Sequence, residues 1–137
     1  MDFVGKKVDT FQFHVMKISF DFDGVLDTED GQEFIRALLN ANRLAGPMGR
    51  PFDICIVTTR FAKNDNSDLN SLAAELSCDA IFTNHEWKWE TLEKLQIDLH
   101  IDDNPDEVHL INEKCTKCQA LLFGVNIHKL LMEGTEL

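Results

Sequence analysis

Asp21-Phe22-Asp23-Gly24-Val25-Leu26 closes an apolar run, Val15-Met16-Lys17-Ile18-Ser19-Phe20. The run is mixed rather than cleanly alternating, as in a strand buried within a parallel sheet. Residues i and i+2 of a strand point to the same side. Asp21 and Asp23 therefore face one spot, where the strand gives way to Gly24. Two like charges about 4 Å apart repel by roughly 4 kcal/mol at an effective dielectric near 20. Such a pair needs a cation or a shared proton. A hard cation with oxygen ligands, magnesium above all, fits two carboxylates best. Taken alone, the pair reads equally well as one solvated acid beside one turn cap.

Three further clusters follow, each where an apolar run stops. Phe52-Asp53-Ile54-Cys55-Ile56-Val57-Thr58-Thr59-Arg60 reads as a second strand ending in hydroxyls and a guanidinium. Lys88 opens a helical stretch, and Leu99-His100-Ile101-Asp102-Asp103-Asn104-Pro105 is a short strand ending in paired acids. In an open parallel sheet, ligands bind outside the carboxyl ends of the strands. The acids, a hydroxyl and a lysine would then converge on one crevice, as a metal site with a phosphate cradle beside it.

The rest of the chain alternates between the two periodicities. Lys7 to Phe13 alternates like an edge strand, so residues 1–13 read as an N-terminal extension or added strand. Asp30-Gly31-Gln32-Glu33 looks like a helix start, with Phe34, Ile35, Leu38, Leu39 and Ala45 on one face and Gly46-Pro47 as the stop. Leu69, Leu72, Ala73 and Leu76 mark an amphipathic helix. A third strand over Asp79 to Thr83 leads to a helix from about Glu86 to Leu95, then a strand over Gln96 to Ile101. Asn104-Pro105-Asp106-Glu107 starts another helix, with a cap, Pro at the first position and acids in the first turn. Gln119 to Gly124 is a fifth strand and His128 to Met132 a terminal helix. The alternation predicts an α/β fold: a three-layer α/β/α, Rossmann-like arrangement on a parallel sheet of about five strands. The 137 residues suit one domain, 1–137.

Charge and composition narrow the partners. There are 24 acids against 13 lysines and arginines, a net charge of −11. This argues against non-specific binding to nucleic acid or an anionic membrane, which needs a basic face. No apolar run reaches the length of a membrane span, and Met1 to Lys7 lacks a signal-peptide core. Cys55, Cys78, Cys115 and Cys118 are scattered, as in a reduced, cytoplasmic protein. Cys115-Thr116-Lys117-Cys118 could hold zinc with His109 or act as a thiol pair, although a lone C-x-x-C more often does neither. His85, Trp87 and Trp89 could stack on a base or sugar; such residues more often pack a helix onto a sheet.

In their order, Asp21-Phe22-Asp23-Gly24-Val25-Leu26, Ile56-Val57-Thr58, Lys88 and Asp102-Asp103 resemble the haloacid dehalogenase-like (HAD) phosphohydrolase superfamily, over about Val15 to Val125. The resemblance implies a magnesium-dependent phosphatase that passes through an aspartyl-phosphate. It implies Asp21 as nucleophile and Asp23 as acid, then base. Thr58 would donate its hydroxyl to the phosphate, with Thr59 one register step away, and Arg60 would contact substrate or else form a surface ion pair. Lys88, in preference to Lys94, would neutralise phosphate and nucleophile. Magnesium would be held by Asp21, the Asp23 backbone carbonyl and Asp102, with Asp103 as a further ligand or orienting a metal-bound water. The gaps from Asp27 to Pro51 and from Thr58 to Lys88 leave no room for an inserted cap domain. Capless members often act on large substrates or use a neighbouring subunit as a lid, which makes a homo-oligomer an expectation. The alternative is a catalytically silent HAD-like metal- or phosphate-binding regulatory protein. The substrate is not named by any residue here.

Overall fold

The mixed run before Asp21 is strand β1, Met16–Phe20, and it sits at the centre of a sheet. A computed structural model describes residues 15–46 and 49–124. The other strands are β2 (Phe52–Thr58), β3 (Asp79–Phe82), β4 (Leu99–Asp102) and β5 (Gln119–Leu122). All neighbours pair in parallel, in the order β3-β2-β1-β4-β5. The order reverses between β1 and β4, which opens a crevice at their carboxyl ends. The expected α/β architecture with a five-stranded parallel sheet is therefore present.

Each crossover carries one helix: α1 (Glu29–Ala45), α2 (Ser67–Leu76), α3 (Trp89–Leu95) and α4 (Pro105–Lys114). Ile35 of α1 and Leu69, Ala73 and Leu76 of α2 pack with Ile18, Phe20, Ile54, Ile56 and Ile101. Leu92 of α3 and Ile111 of α4 pack with Val57, Ile97 and Ala120 on the other face. A right-handed crossover requires the helices to change face when the strand order reverses.

The local signals place most boundaries within a few residues. Thr28, rather than Asp30, caps α1: its hydroxyl oxygen accepts the Gly31 N–H at 3.1 Å. Gly31 has a packing reason of its own, since a Cβ there would lie 1.8 Å from the Val25 carbonyl oxygen. Asn104 caps α4, with Pro105 at the first position as its sequence implies. α3 starts three residues later than Glu86, because Asn84 and His85 both take positive φ, 55° and 71°. The late start leaves Lys88 at the N-cap of α3. β4 starts at Leu99 rather than Gln96, which is left-handed at the end of α3. The strand expected over 7–13 and the helix over 128–132 lie outside the described residues. No helix among the described residues is long and apolar enough to cross a membrane.

Candidate functional site

Asp21 follows β1 in extended backbone, its N–H donated to the Ile101 carbonyl at 2.9 Å. The chain then turns tightly through Phe22–Leu26, with Gly24 at φ 83°. A Cβ on Gly24 would lie 1.9 Å from Asp103 Oδ2, so Asp103 rests against bare backbone that only glycine offers. Asp21, Asp102 and Asp103 each present an oxygen within 4.8 Å of the others, the one such group among the described residues. Asp21 and Asp102 are buried and Asp103 is exposed. Three carboxylates converging at that distance suit a hard divalent cation as a class.

Lys88 reaches the same point from the start of α3. Its Nζ is 2.9 Å from Asp21 Oδ1 and 2.6 Å from Asp102 Oδ2, and the residue is only 1% exposed. An ammonium so enclosed needs its charge paired. Burial works against the charge on Lys88, but Asp21 and then Asp102 outweigh it and raise its pKa. Burial also pushes against the Asp102 carboxylate, yet the His100 hydrogen bond and the Lys88 charge hold it well below the usual range. Burial lifts Asp21 to about 8; Lys88 pulls it down and Asp102 adds to the rise. Asp21 and Asp102 thus both contact one ammonium, Asp102 at the shorter distance.

Asp23 points elsewhere. Arg60 holds its carboxylate in a fork, Nε to Oδ2 at 3.0 Å and Nη2 to Oδ1 at 2.7 Å. The same guanidinium grips Asp68, at 2.8 Å from Nη1 and 3.0 Å from Nη2, and lies 4.9 Å over the Phe22 ring. The hydrogen bonds to Asp68 and Asp23 raise the pKa of Arg60 further. Arg60 lowers that of Asp68 to about 2. Arg60 is therefore engaged by protein partners; of the two readings its sequence left open, a substrate contact or an ion pair, the structure shows the ion pair. Thr58 is buried at the end of β2, its Oγ1 accepting the Arg60 N–H at 3.2 Å. The Thr59 carbonyl accepts the His85 N–H at 2.6 Å. Lys94 lies in the last turn of α3, exposed to solvent.

The structure thus brings together Asp21, Lys88, Asp102 and Asp103, and sets Asp23 and Arg60 beside them as a separate ion-paired group. Four buried or paired residues were given no role from the sequence. Ser19 and His100 lie two positions before Asp21 and Asp102, on the same side of their strands, which was a usable signal. Glu107 reads as an ordinary first-turn acid of α4, yet it is buried and its Oε1 accepts the Lys88 backbone N–H at 3.2 Å. Asp68 carries no sequence signal for its place on Arg60.

The weaker sequence candidates separate too. All four cysteines are free, and burial pushes the Cys118 thiol up to about 12, which disfavours thiolate chemistry. Neither Cys115 nor Cys118 belongs to a metal-holding group among the described residues. His109 pairs with Glu113 at 3.2 Å. Trp89 packs in the interior beneath Lys114, Trp87 is exposed, and His85 lies against Phe61 with ring centroids 4.1 Å apart. A polar cleft of about 430 Å³, lined by Arg60, Phe61, Asn64, Asp68 and His85 among others, adjoins Asp23 through Arg60. No family model matches the chain, and no curated protein and no solved structure does either.

Proposed function

We propose that this chain is a magnesium-dependent phosphatase of the HAD-like, capless type, hydrolysing a phosphate monoester through an aspartyl-phosphate on Asp21. One observation carries the reading: Lys88 is buried between Asp21 and Asp102, with Asp103 completing a three-carboxylate group where the strand order reverses. A nucleophilic carboxylate, a fixed cation and a hard-metal donor set are what phosphoryl transfer requires.

In this reading Asp21, the Asp23 backbone carbonyl and Asp102, with Asp103 as a further ligand or orienting a bound water, would hold magnesium, which would supply positive charge to offset that of the phosphoryl oxygens. An oxygen of Asp21 attacks phosphorus and the bond to the leaving oxygen breaks. Asp23 hands its proton to that oxygen. Water then attacks the aspartyl-phosphate, Asp23 takes the water's proton, phosphate leaves and Asp21 is regenerated. Lys88 offsets the charge of Asp21 before the transfer and that of the phosphoryl group after it. The Thr58 oxygen already accepts from the Arg60 N–H, so its own proton is free to be donated to a phosphoryl oxygen. Asp23 must leave the Arg60 fork to do its part. The free thiols and acidic surface go with a reduced, cytoplasmic setting.

A second reading is a silent HAD-like protein that binds a metal or phosphate without turnover. The Arg60 grip on Asp23 favours it, because a carboxylate held in a guanidinium fork is a poor proton donor. Hydrolysis of an aryl phosphate with magnesium, absent in Asp21→Asn, supports the enzyme. A melting temperature raised by millimolar magnesium, with no turnover of any monoester, supports the binder. A cation at a hundredfold over its Kd adds about 2.7 kcal/mol of stability. Melting unmoved by magnesium, and no hydrolysis, sinks both readings.

A further inference from the structure

Beneath the carboxylates lies a second polar layer. Ser19 and His100 are partners in the β1–β4 ladder, and both are completely buried. Ser19 Oγ is 2.6 Å from His100 Nδ1, and His100 Nε2 is 2.8 Å from Asp102 Oδ2. Valine and leucine would fill these two sheet positions without removing polar atoms from water. Neither residue touches solvent. What the pair does reach is Asp102.

The direction of the chain of hydrogen bonds follows from the donors available. An ionised carboxylate only accepts, so His100 Nε2 carries the hydrogen it shares with Asp102. In the neutral ring Nδ1 is then the acceptor, and the Ser19 hydroxyl donates to it. Ser19 therefore selects the tautomer, and His100 presents one fixed N–H to Asp102 Oδ2. The same oxygen accepts Lys88 Nζ at 2.6 Å, while Oδ1 accepts the Asn104 N–H at 3.0 Å. Of these three donors, the lysine ammonium stands on a long flexible stem. The imidazole is a rigid ring on the same strand as the carboxylate it holds, two residues before it, and Ser19 on the neighbouring strand anchors it.

We infer that His100, oriented by Ser19, is a positioning residue that fixes the Asp102 carboxylate for a divalent cation shared with Asp21 and Asp103. The inference rests on the metal reading above. Partners one shell out from a metal ligand typically account for about 10–100-fold in metal affinity. Glu107, which holds the Lys88 backbone, acts on the lysine and not on this carboxylate.

The test is magnesium affinity, measured by calorimetry on the full chain, with melting recorded in the absence of the metal. His100→Leu keeps an apolar side chain of similar bulk but no donor, and its magnesium Kd should weaken by about 10–100-fold. His100→Gln can place an amide N–H near the former Nε2 and should recover part of that loss. Ser19→Ala should fall between wild type and His100→Leu. A purely structural His100 would lower metal-free melting while leaving the Kd of the folded fraction unchanged; that result overturns the inference. If His100→Leu fails to fold, wild-type Kd in both Ser19→Ala and His100→Gln overturns it equally. Wild-type protein that binds no magnesium overturns the metal reading and this inference with it. Wild-type binding that survives all three substitutions overturns the inference alone.

Discussion

At the centre of the sheet, the two faces of β1 and β4 are built from the same strands and do opposite work. On the α1/α2 side, β1 contributes Ile18 and Phe20 and β4 contributes Ile101, and their neighbours are Ile54, Ile56, Ile35 and Leu69. Phe20 meets Phe34 edge to face, ring centroids 5.6 Å apart. On the α3/α4 side the alternate residues of those strands are Ser19 and Asp21, and His100 and Asp102, with Lys88 and Glu107 packed over them. The apolar face gains from every atom it hides from water. The polar face hides charge, and it is tolerable only because each buried group has a partner. Among the described residues no buried side-chain nitrogen or oxygen lacks one. One-residue alternation thus lets a single central strand hold an apolar core with one side and the buried charge cluster with the other.

The faces should fail differently when cut. The largest expected effect is on turnover, in Asp21→Asn, where an amide replaces the proposed nucleophile and aryl phosphate hydrolysis should fall to background. Its metal-free melting should stay at or above that of wild type, since the substitution removes a carboxyl whose charge burial disfavours. Phe20→Ala, across the sheet, should cost about 3–5 kcal/mol by urea or thermal unfolding. The molecules that remain folded should bind magnesium as wild type does. Lys88→Ala should cost on the order of 3 kcal/mol without magnesium, by leaving Asp21 and Asp102 buried around no cation. Millimolar magnesium should recover part of that loss. A Phe20→Ala protein that folds fully yet loses magnesium affinity would break the division between the faces.

The apolar face was the legible one. Apolar runs located β1 and β2, and helical spacing located α2, because the side chains that make those patterns are the ones that pack. The alternation of Ser19 with Ile18 and Phe20 was also visible, but its meaning was not, since it depends on β4 lying beside β1. Strand order is set by tertiary packing and leaves no mark on the local pattern. For the same reason the fork of Arg60 on Asp23 and Asp68 was illegible, as it joins a strand end to a turn and to the start of α2. The clustering of Asp21, Lys88, Asp102 and Asp103 could be anticipated, because all four sit at the carboxyl ends of strands or just beyond, where a parallel sheet gathers them.

Gly24→Ala sharpens the comparison at the boundary of the polar face. Alanine would have to hold φ 83° and displace Asp103, whose Oδ2 stands 1.9 Å from the new Cβ. The left-handed backbone should cost about 1–2 kcal/mol. Moving Asp103 should weaken magnesium binding in the same calorimetric assay. Unchanged binding would show that Asp103 is dispensable to the metal site.

The smallest effect should come from the other lysine of α3. Lys88 and Lys94 belong to one short segment, and both carry an ammonium that could answer a phosphate. The parallel sheet separates them: α3 runs back against the strands, so its start lies at their carboxyl ends and its last turn at their amino ends. The observed burial follows that direction, with Lys88 enclosed between Asp21 and Asp102 and Lys94 in solvent. Lys94→Ala should therefore shift stability by no more than about 0.5 kcal/mol. It should leave both kcat/KM on an aryl phosphate and the magnesium Kd unchanged, while Lys88→Ala cuts turnover strongly by removing fixed positive charge from a desolvated site. Were Lys94→Ala the inactive protein and Lys88→Ala the active one, the Lys88–carboxylate cluster would be a structural ion pair, and the polar face would owe its burial to folding and not to phosphate chemistry.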